Sequence, residues 1–197
     1  NLASPKSGVV TDVQGTCTVP TVSCASGDGY SPMWLGIDGD STITVEQTGT
    51  EQDCVNGSPA YSAWYEFYPK RSYNISMAIR PGDAMFGEVR YAGGVFTATL
   101  ANQTTGASFS IKQKVHADRS SAEWIMEAPY SGGVLPLANF GTAAFSGAQA
   151  TISGVTGGIL NSNWQDDPIT METTGGTIKA AISDVRSGGF SVTWEHA

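Results

Sequence analysis

The sequence predicts an all-β fold, an antiparallel sandwich or barrel, from three observations. Short runs of alternating apolar and polar residues recur along the chain, with turn signals roughly every 8 to 12 residues. The 197 residues include 24 glycines, with many Ser and Thr. No segment predicts a helix longer than one or two turns. Because all-β folds often reach this length undivided, we expect residues 1–197 to form a single domain.

The strands follow from the alternating pattern. Residues 9–22 contain short runs interrupted by Gly15 and Pro20, which are typical of edge or early strands. Residues 154–168 lose the pattern and predict a long surface loop. The other predicted strands occupy residues 33–40, 42–48, 60–69, 85–91, 95–100, 109–115, 122–126, 138–145, 148–153, 169–173, 177–182 and 190–195.

Two of these strands are predicted in more detail. Residues 60–69, AYSAWYEFYP, are dense in aromatic residues on both faces, which predicts a central strand that is covered on both sides. Residues 95–100 and 109–115 predict a hairpin across the turn NQTTG, with their apolar residues facing one another.

The charge of the chain excludes some partners and suggests a working environment. The formal net charge is −8 with only ten Lys and Arg, so we expect neither a nucleic acid nor a membrane surface as partner. Charged residues make up only 14% of the chain. Ion pairs that depend on carboxylates are lost as pH falls, and a protein with few such pairs suits an acidic medium.

Cysteines and common motifs narrow the chemistry further. Cys17, Cys24 and Cys54 permit at most one internal disulfide, and the sequence does not select the pair. Sequons at Asn74 and Asn102 are compatible with secretion from a eukaryote. Motifs for a serine hydrolase, a zinc site or a phosphate-binding loop are absent from the sequence, and the segment DGDS predicts a turn rather than a calcium loop. The remaining reactive groups are carboxyls, amides and aromatic rings.

Two polar residues interrupt apolar patterns in predicted strands. Gln47 continues the phase of Ile43 and Val45, and Glu123 continues the phase of Ile125. Turning such groups toward an apolar interior costs a few kcal/mol unless they are bonded or functional, so we interpret both as functional. A purely structural role is the alternative for each, and Glu127, in the same phase as Glu123, is a rival for its role.

Four segments in order, MWLGIDGD, EQTGT, AYSAWYEFYP and SAEWIMEAP, resemble the glutamic peptidases, also called eqolisins. These are secreted acid proteinases of fungi, with bacterial relatives. The segment GTCTVPTVS is similar to the family's G-T-W-T-V-P, with Cys17 where a tryptophan is usual. The resemblance extends from about residue 8 to residue 153.

The resemblance implies two large antiparallel sheets in a concanavalin-like or jelly-roll-like sandwich, with the active site on the concave face of one sheet. By motif, the catalytic glutamine falls on Gln47 and the catalytic glutamate on Glu123. Family cleft residues fall on Trp34, Asp38 and Glu66, which we expect to line or brace the site.

Other residues near these motifs have expected roles. We expect Trp34, Trp64, Tyr65 and Trp124 to receive an extended substrate, although tryptophans more often pack in cores. The family usually has an acidic residue shortly after the Q-T-G motif. In TEQDC that residue is either Glu51 or Asp53.

The implied function is that of an extracellular, pepstatin-insensitive acid endopeptidase that acts on proteins or peptides as a monomer and needs no cofactor. In the implied mechanism Glu123 activates water and Gln47 stabilises the oxyanion. Two alternatives use the same aromatic-rich sandwich. One is a glycoside hydrolase with Glu66 and Glu123 as its carboxyl pair, and the other is a lectin-like module without turnover.

Overall fold

Antiparallel strands form nearly all of the regular structure. The computed structural model describes residues 1–3, 6–186 and 188–197, and within these ranges the only helix is a single 3-10 turn at Cys24–Ser26. The strands are β1 (Leu2–Ala3), β2 (Val10–Thr18), β3 (Met33–Asp38), β4 (Val45–Val55), β5 (Ser58–Tyr68), β6 (Tyr73–Ile75), β7 (Ala84–Ala92), β8 (Val95–Asn102), β9 (Ala107–Gln113), β10 (Ser121–Met126), β11 (Thr142–Ile152), β12 (Val155–Gly158), β13 (Gln165–Asp166), β14 (Met171–Glu172), β15 (Ile178–Ile182) and β16 (Phe190–Trp194).

These strands form two sheets that pack face to face. The smaller sheet has seven strands in the order β13-β1-β10-β3-β4-β5-β6. The larger has nine, in the order β14-β15-β16-β11-β2-β7-β8-β9, with β12 paired to β11. Between the sheets, the Trp124 indole nitrogen donates to the Gln14 carbonyl oxygen at 3.0 Å. The predicted β-sandwich is therefore confirmed.

The smaller sheet places its apolar and its reactive side chains on opposite faces. Leu35, Ile37 and Trp124 belong to the buried cluster between the sheets. Because side chains alternate along a strand, Gln47 and Glu123 lie on the other face, which we call the cleft face. The prediction that they interrupt the apolar interior was therefore wrong. Ile43, 83% exposed and outside β4, does not continue an apolar line to Gln47.

Several predicted strands differ from the observed ones. Residues 10–18 form one strand, β2, between β11 and β7 in the middle of the larger sheet, not an edge strand. Gly15 does not break it, because the missing side chain leaves room for the Trp124 indole, whose nitrogen would lie 3.0 Å from an added Cβ. Residues 142–152 form a single strand with register irregularities. The predicted loop at 154–168 contains β12 and β13.

Other predictions hold in part. The hairpin of β8 and β9 forms, with Ala98 facing Ile111 and Leu100 facing Phe109. Phe96 pairs with Gln113, and Val115, expected in the hairpin, lies beyond the end of β9.

Strand β5 pairs with β4 and with the short β6, so it lies inside the sheet although only one strand from its edge. The expectation that both of its faces are covered was wrong, because Trp64, Glu66 and Tyr68 line the cleft.

The structure shows which cysteines form the disulfide, and it shows that only one of the two sequon asparagines is exposed. Cys24 and Cys54 are bonded, which ties the 3-10 turn to the end of β4. Cys17 is a free thiol, and burial raises its pKa to about 12, so it stays protonated.

Asn102 is fully buried and donates to Asp83 at 2.7 Å, whereas Asn74 is exposed on β6. Among the described helices, none has the length and apolar character to cross a membrane.

Candidate active site

One row of paired residues crosses four strands of the smaller sheet. Glu123 on β10 pairs with Gly36 on β3, Gly36 pairs with Gln47 on β4, and Gln47 pairs with Glu66 on β5. Directly paired residues project from the same face of a sheet. Gln47 and Glu123 therefore share the cleft face and are two strands apart, a separation of about 10 Å between their backbones.

Glycines let neighbouring strands approach closely at this row. At Gly36, an added Cβ would lie 2.5 Å from the Glu46 carbonyl oxygen and 2.9 Å from the Gln47 Cβ. Gly49 lies in the next row on this face, where it pairs with Trp34 on β3 and with Trp64 on β5. An added Cβ at Gly49 would lie 2.8 Å from the Trp34 Cα. An isolated glycine inside a strand is a sequence signal of close approach. The sequence contained this signal in MWLGID.

We predict that Gly36→Ala lowers kcat/KM by about 100-fold, since a shift of about 1 Å at a reacting group has effects of this size. The new methyl group must displace Gln47 or the β4 backbone. Kinetics on a peptide substrate, with a thermal melt to verify folding, measures the loss. Gly175→Ala is the control, because its nearest neighbour would lie 3.7 Å from the added Cβ. Full activity of a folded Gly36→Ala protein would contradict the prediction.

Glu123 is held through one of its two carboxyl oxygens. Its Oε1 accepts from the Asp40 backbone N–H at 2.6 Å and from the Ser121 hydroxyl at 2.7 Å. Burial raises the pKa of Glu123, and these two hydrogen bonds partly offset the rise. In the described part of the chain, no side chain or backbone group donates to Oε2. The arrangement leaves that oxygen available for proton exchange with a water molecule.

Gln47 is oriented by Glu66. The Gln47 Nε2 donates to the Glu66 Oε2 at 2.7 Å, and the Gln47 Oε1 is buried with no partner among the described residues. An amide nitrogen carries two N–H groups, so one remains for a substrate oxygen. Burial raises the pKa of Glu66, the bond from Gln47 lowers it, and the nearby Glu127 raises it.

A cleft of about 420 Å³ begins beside this row. Its lining includes Gln47 and Glu66 from the row, whereas Glu123 lies outside the cleft, beyond Gly36. The other lining residues are Pro32, Val45, Glu51, Trp64, Tyr68, Ser72, Glu127, Pro129 and Tyr130. Aromatic rings and carboxyl groups therefore dominate the walls, a surface suited to an extended polymer with apolar and polar groups.

Burial raises the pKa of the carboxyl groups in the cleft. The pKa of Glu51 is raised to about 7 by burial and by the neighbouring Asp53 and Glu127. Burial also raises the pKa of Glu127, which accepts a hydrogen bond at 2.8 Å from the Trp34 indole nitrogen. Trp34 thus braces the wall of the cleft through Glu127.

Glu51 and Asp53, the two candidates for the acidic position after Q-T-G, have different environments. Glu51 lines the cleft with Gln47, whereas the Asp53 carboxylate accepts from the Ser31 backbone N–H at 3.2 Å. Asp53 therefore fixes the chain that precedes β3.

Asp38 braces the site by holding neighbouring backbone in place. Its buried carboxylate accepts from the backbone N–H groups of Arg119 and Ser120, at 2.7 and 2.8 Å, and from the Thr44 hydroxyl at 3.2 Å. These bonds attach the segment before β10 to the end of β3. The segment DGDS forms a turn with positive φ at Asp38, and this turn presents the Asp40 N–H to Glu123.

Two aromatic residues expected at the cleft lie elsewhere. Tyr65 alternates with Glu66 and is on the inner face, where its ring stacks on Tyr73 and on Phe109 of the larger sheet. Trp124 is also on the inner face and donates to Gln14. The structure therefore brings Trp34 and Trp64 to the cleft face but neither Tyr65 nor Trp124.

Sequence reasoning missed Glu46. Its side chain is fully buried on the inner face, and both carboxyl oxygens have no hydrogen-bond partner among the described residues. Burial, with Asp38 and Asp118 nearby, raises its pKa to about 9. The inner face of β4 is polar from Glu46 through Thr48 and Thr50 to Gln52, so the apolar alternation that would have indicated burial is absent there.

We predict that the protein loses stability as pH rises from about 4 to 9. Folding raises the pKa of Glu46 to about 9, of Glu51 to about 7 and of Asp53 to about 6. Above the unfolded pKa of about 4, the unfolded chain releases these protons while the folded chain retains them, which favours unfolding. Thermal melts should show a fall on the order of 10 °C between pH 4 and pH 7.5.

Glu46→Gln is the matched variant for this pH dependence, because the amide stays neutral throughout. Its melting temperature should fall less between pH 4 and pH 7.5 than that of the parent. A parent melting temperature that rises over this range would contradict the prediction.

Comparison with known proteins identifies the family of this chain. The model of the peptidase A4 family matches residues 2–194. Aspergillopepsin-2 of Aspergillus niger is 35% identical over 183 residues, which cover 79% of this chain and 65% of that protein. The chain thus spans less than two thirds of the length of this relative.

Solved structures show the same fold. A scytalido-glutamic peptidase bound to a transition-state analogue inhibitor superposes with a TM-score of 0.80, at 26% identity, over 98% of this chain and 96% of that one. The aspergilloglutamic peptidase of Aspergillus niger gives a TM-score of 0.75 at 31% identity, over 85% of this chain and 99% of that one. The resemblance read from the four sequence motifs is confirmed, and the chain belongs to the peptidase A4 family of glutamic peptidases.

Proposed function

We propose that the protein is an acid endopeptidase in which Glu123 and Gln47 hydrolyse peptide bonds of protein substrates. The observation that supports this proposal is the row in which Glu123, Gly36, Gln47 and Glu66 are paired on one face, with no side chain between the two reactive groups. Family membership supports the same reaction.

Glu123 acts first as a base. The oxygen that the Asp40 and Ser121 hydrogen bonds leave free takes a proton from a water molecule, and the water oxygen attacks the carbonyl carbon of the substrate. Glu123 then gives this proton to the departing amine. One carboxyl group thus serves both proton transfers and returns to its starting state.

Gln47 stabilises the negative charge that develops on the carbonyl oxygen. Its second Nε2 hydrogen donates to this oxygen, while the bond to Glu66 holds the amide in place. Glu66 is therefore a positioning residue. Trp34 and Trp64 flank the backbone floor at Gly49, where a substrate residue packs between the two indoles.

The proposed working pH is acidic. A glutamate that acts in turn as base and acid works best near its own pKa. Burial raises the pKa of Glu123, and its two hydrogen bonds partly offset this rise. Burial raises the pKa of Glu51 and Glu127 in the cleft, which favours their neutral forms in acid and limits repulsion along the cleft walls. We further propose that the protein works as a secreted, single-domain monomer without a cofactor.

A glycoside hydrolase is less well supported. Glu66 and Glu123 are separated by two intervening strands, and the Gln47 side chain lies between them. Glu66 is also bonded to Gln47, which leaves it poorly placed to attack a sugar. A lectin-like module catalyses no reaction, so it would not need the paired Glu123 and Gln47.

Incubation with denatured casein tests the proposal. We expect cleavage at about pH 3.5, little at pH 7, and no inhibition by pepstatin. Cleavage of a polysaccharide without cleavage of casein would favour the glycosidase, and turnover of neither would favour the binding module.

A further inference from the structure

A buried serine lies beside the proposed catalytic glutamate. Ser121 precedes Glu123 by two residues on β10, so both side chains project from the cleft face. Ser121 is 1% exposed, and its hydroxyl donates to the Glu123 Oε1 at 2.7 Å, its only side-chain hydrogen bond within the described ranges. The proposed proton transfers use the other carboxyl oxygen, so they do not by themselves explain a hydroxyl at this position.

The turn between β3 and β4 supplies a second donor to the same oxygen. The Asp40 backbone N–H reaches the Glu123 Oε1 at 2.6 Å. Asp38 and Ser41 have φ values of 66° and 58°, a left-handed conformation that non-glycine residues keep only where neighbouring contacts impose it. Gly39, with φ of 118°, packs against the carboxyl, and an added Cβ would lie 3.2 Å from Oε1. The turn thus keeps an unfavourable backbone shape that places one N–H on Glu123.

Contacts on two sides hold this turn in place. The Asp38 carboxylate accepts from two backbone N–H groups of the segment that precedes β10. The Thr42 hydroxyl accepts from the Gly39 N–H at 3.1 Å and donates to the Thr44 carbonyl oxygen at 3.0 Å. The position of the Asp40 N–H is therefore fixed by contacts within the protein.

Both donors favour the ionised form of Glu123, because a carboxylate accepts hydrogen bonds more strongly than a neutral carboxyl group. Burial raises the pKa of Glu123, and the bonds from Ser121 and from the Asp40 N–H lower it. Two charged groups also act on it, the Asn1 amino group, which lowers the pKa, and the Asp40 carboxyl, which raises it. Its pairing partner on β3, Gly36, adds no charge.

We propose that the Ser121 hydroxyl and the Asp40 N–H are positioning groups that keep Glu123 ionised in acid and leave its Oε2 as the oxygen that takes the proton from water. The inference rests on the proposed peptidase function. Because both donors bind one oxygen, the carboxylate keeps one orientation and the other oxygen keeps its lone pairs for the reaction. A buried glutamate without such donors would be mostly neutral at about pH 3.5 and could not act as a base.

The acid-side limb of the pH profile of kcat/KM tests the proposal, since this limb reports the ionisation of the base in the free enzyme. Ser121→Ala removes only the hydroxyl oxygen, so the limb should move to higher pH by about one unit. Cleavage should therefore fall about tenfold below the limb and little above it. A loss that is equal at every pH, with the limb unmoved, would indicate a merely structural role and overturn the proposal.

Ser31→Ala is the matched control. Ser31 is also a fully buried serine, and its hydroxyl donates to the Gln52 carbonyl oxygen and not to Glu123. Its replacement should lower the melting temperature without moving the limb. A limb that moves equally in both serine variants would overturn the proposal.

Two variants at position 40 test the turn. Asp40→Ala removes the carboxyl and keeps the backbone N–H, whereas Asp40→Pro removes both. The limb should move to lower pH in Asp40→Ala, because a neighbouring negative charge is lost, and it should lie about one unit higher in Asp40→Pro than in Asp40→Ala. The same limb in both variants, each shown to be folded by a thermal melt, would overturn the role of the turn.

Carbon-13 NMR of the side-chain carboxyl groups follows Glu123 without catalysis, and the spectrum of Glu123→Gln identifies its resonance. The titration midpoint should rise by about one unit in Ser121→Ala and stay unchanged in Ser31→Ala. An unmoved midpoint in Ser121→Ala would overturn the proposal, whether or not the protein cuts peptides. The expected rise in a protein whose parent cuts no peptide would instead refute the peptidase function.

Discussion

Replacement of Glu123 by Gln should abolish peptide hydrolysis, with kcat reduced at least about 1,000-fold. The amide keeps the shape and the bonding capacity of the side chain, but it cannot take a proton from water or return one to the amine. Because both proton transfers depend on this group, the loss should be near the upper end for general acid–base catalysis. Steady-state kinetics at about pH 3.5, with a thermal melt to verify folding, measures it.

Glu127→Gln is the control for this experiment, since Glu127 is the same-phase rival and also has a pKa raised by burial. The amide oxygen still accepts from the Trp34 indole, so we expect less than about a tenfold change in kcat. A Glu123→Gln enzyme that cuts as well as the parent, or a larger loss in Glu127→Gln, would assign the proton transfers elsewhere.

Replacement of Gln47 by Ala should lower kcat by about 100-fold to 1,000-fold, the typical effect of removing one oxyanion donor. KM should change little, because the lost hydrogen bond forms mainly in the transition state. Stopped assays on a single peptide separate the two parameters.

Glu66→Gln provides a graded comparison for Gln47→Ala. It keeps a hydrogen-bond acceptor for the Gln47 amide but weakens the bond, so we expect a loss of about tenfold. An unchanged kcat in Gln47→Ala would remove the amide from the mechanism, whatever the result for Glu66→Gln.

The strands and the site motifs could be predicted from the sequence because both are local. The alternation of apolar and polar residues predicted the hairpin of β8 and β9. The four motifs in order indicated Gln47 and Glu123 as candidate site residues. The face of the sheet on which a residue lies depends on pairing between distant strands, which a single alternating pattern does not specify. The inward orientation expected for Gln47 was wrong for this reason.

Pairing also explains the residues whose environment was missed. Tyr65 and Glu66 are neighbours in one motif, and the sheet sends one to the interior and the other to the cleft. Glu46 is buried although the next three residues in its phase on β4 are polar, since the larger sheet covers that face. Burial of this kind arises from packing between sheets and leaves no periodic trace in the chain.

The glycines at positions 36 and 49 give the cleft face a floor of bare main chain beside the cleft. A floor held by strand-to-strand hydrogen bonds on both sides cannot fold away or swing aside, as a long side chain would. The distance from this floor to the reacting groups is therefore set before any substrate arrives. Such preorganisation reduces the reorganisation needed at the moment of reaction.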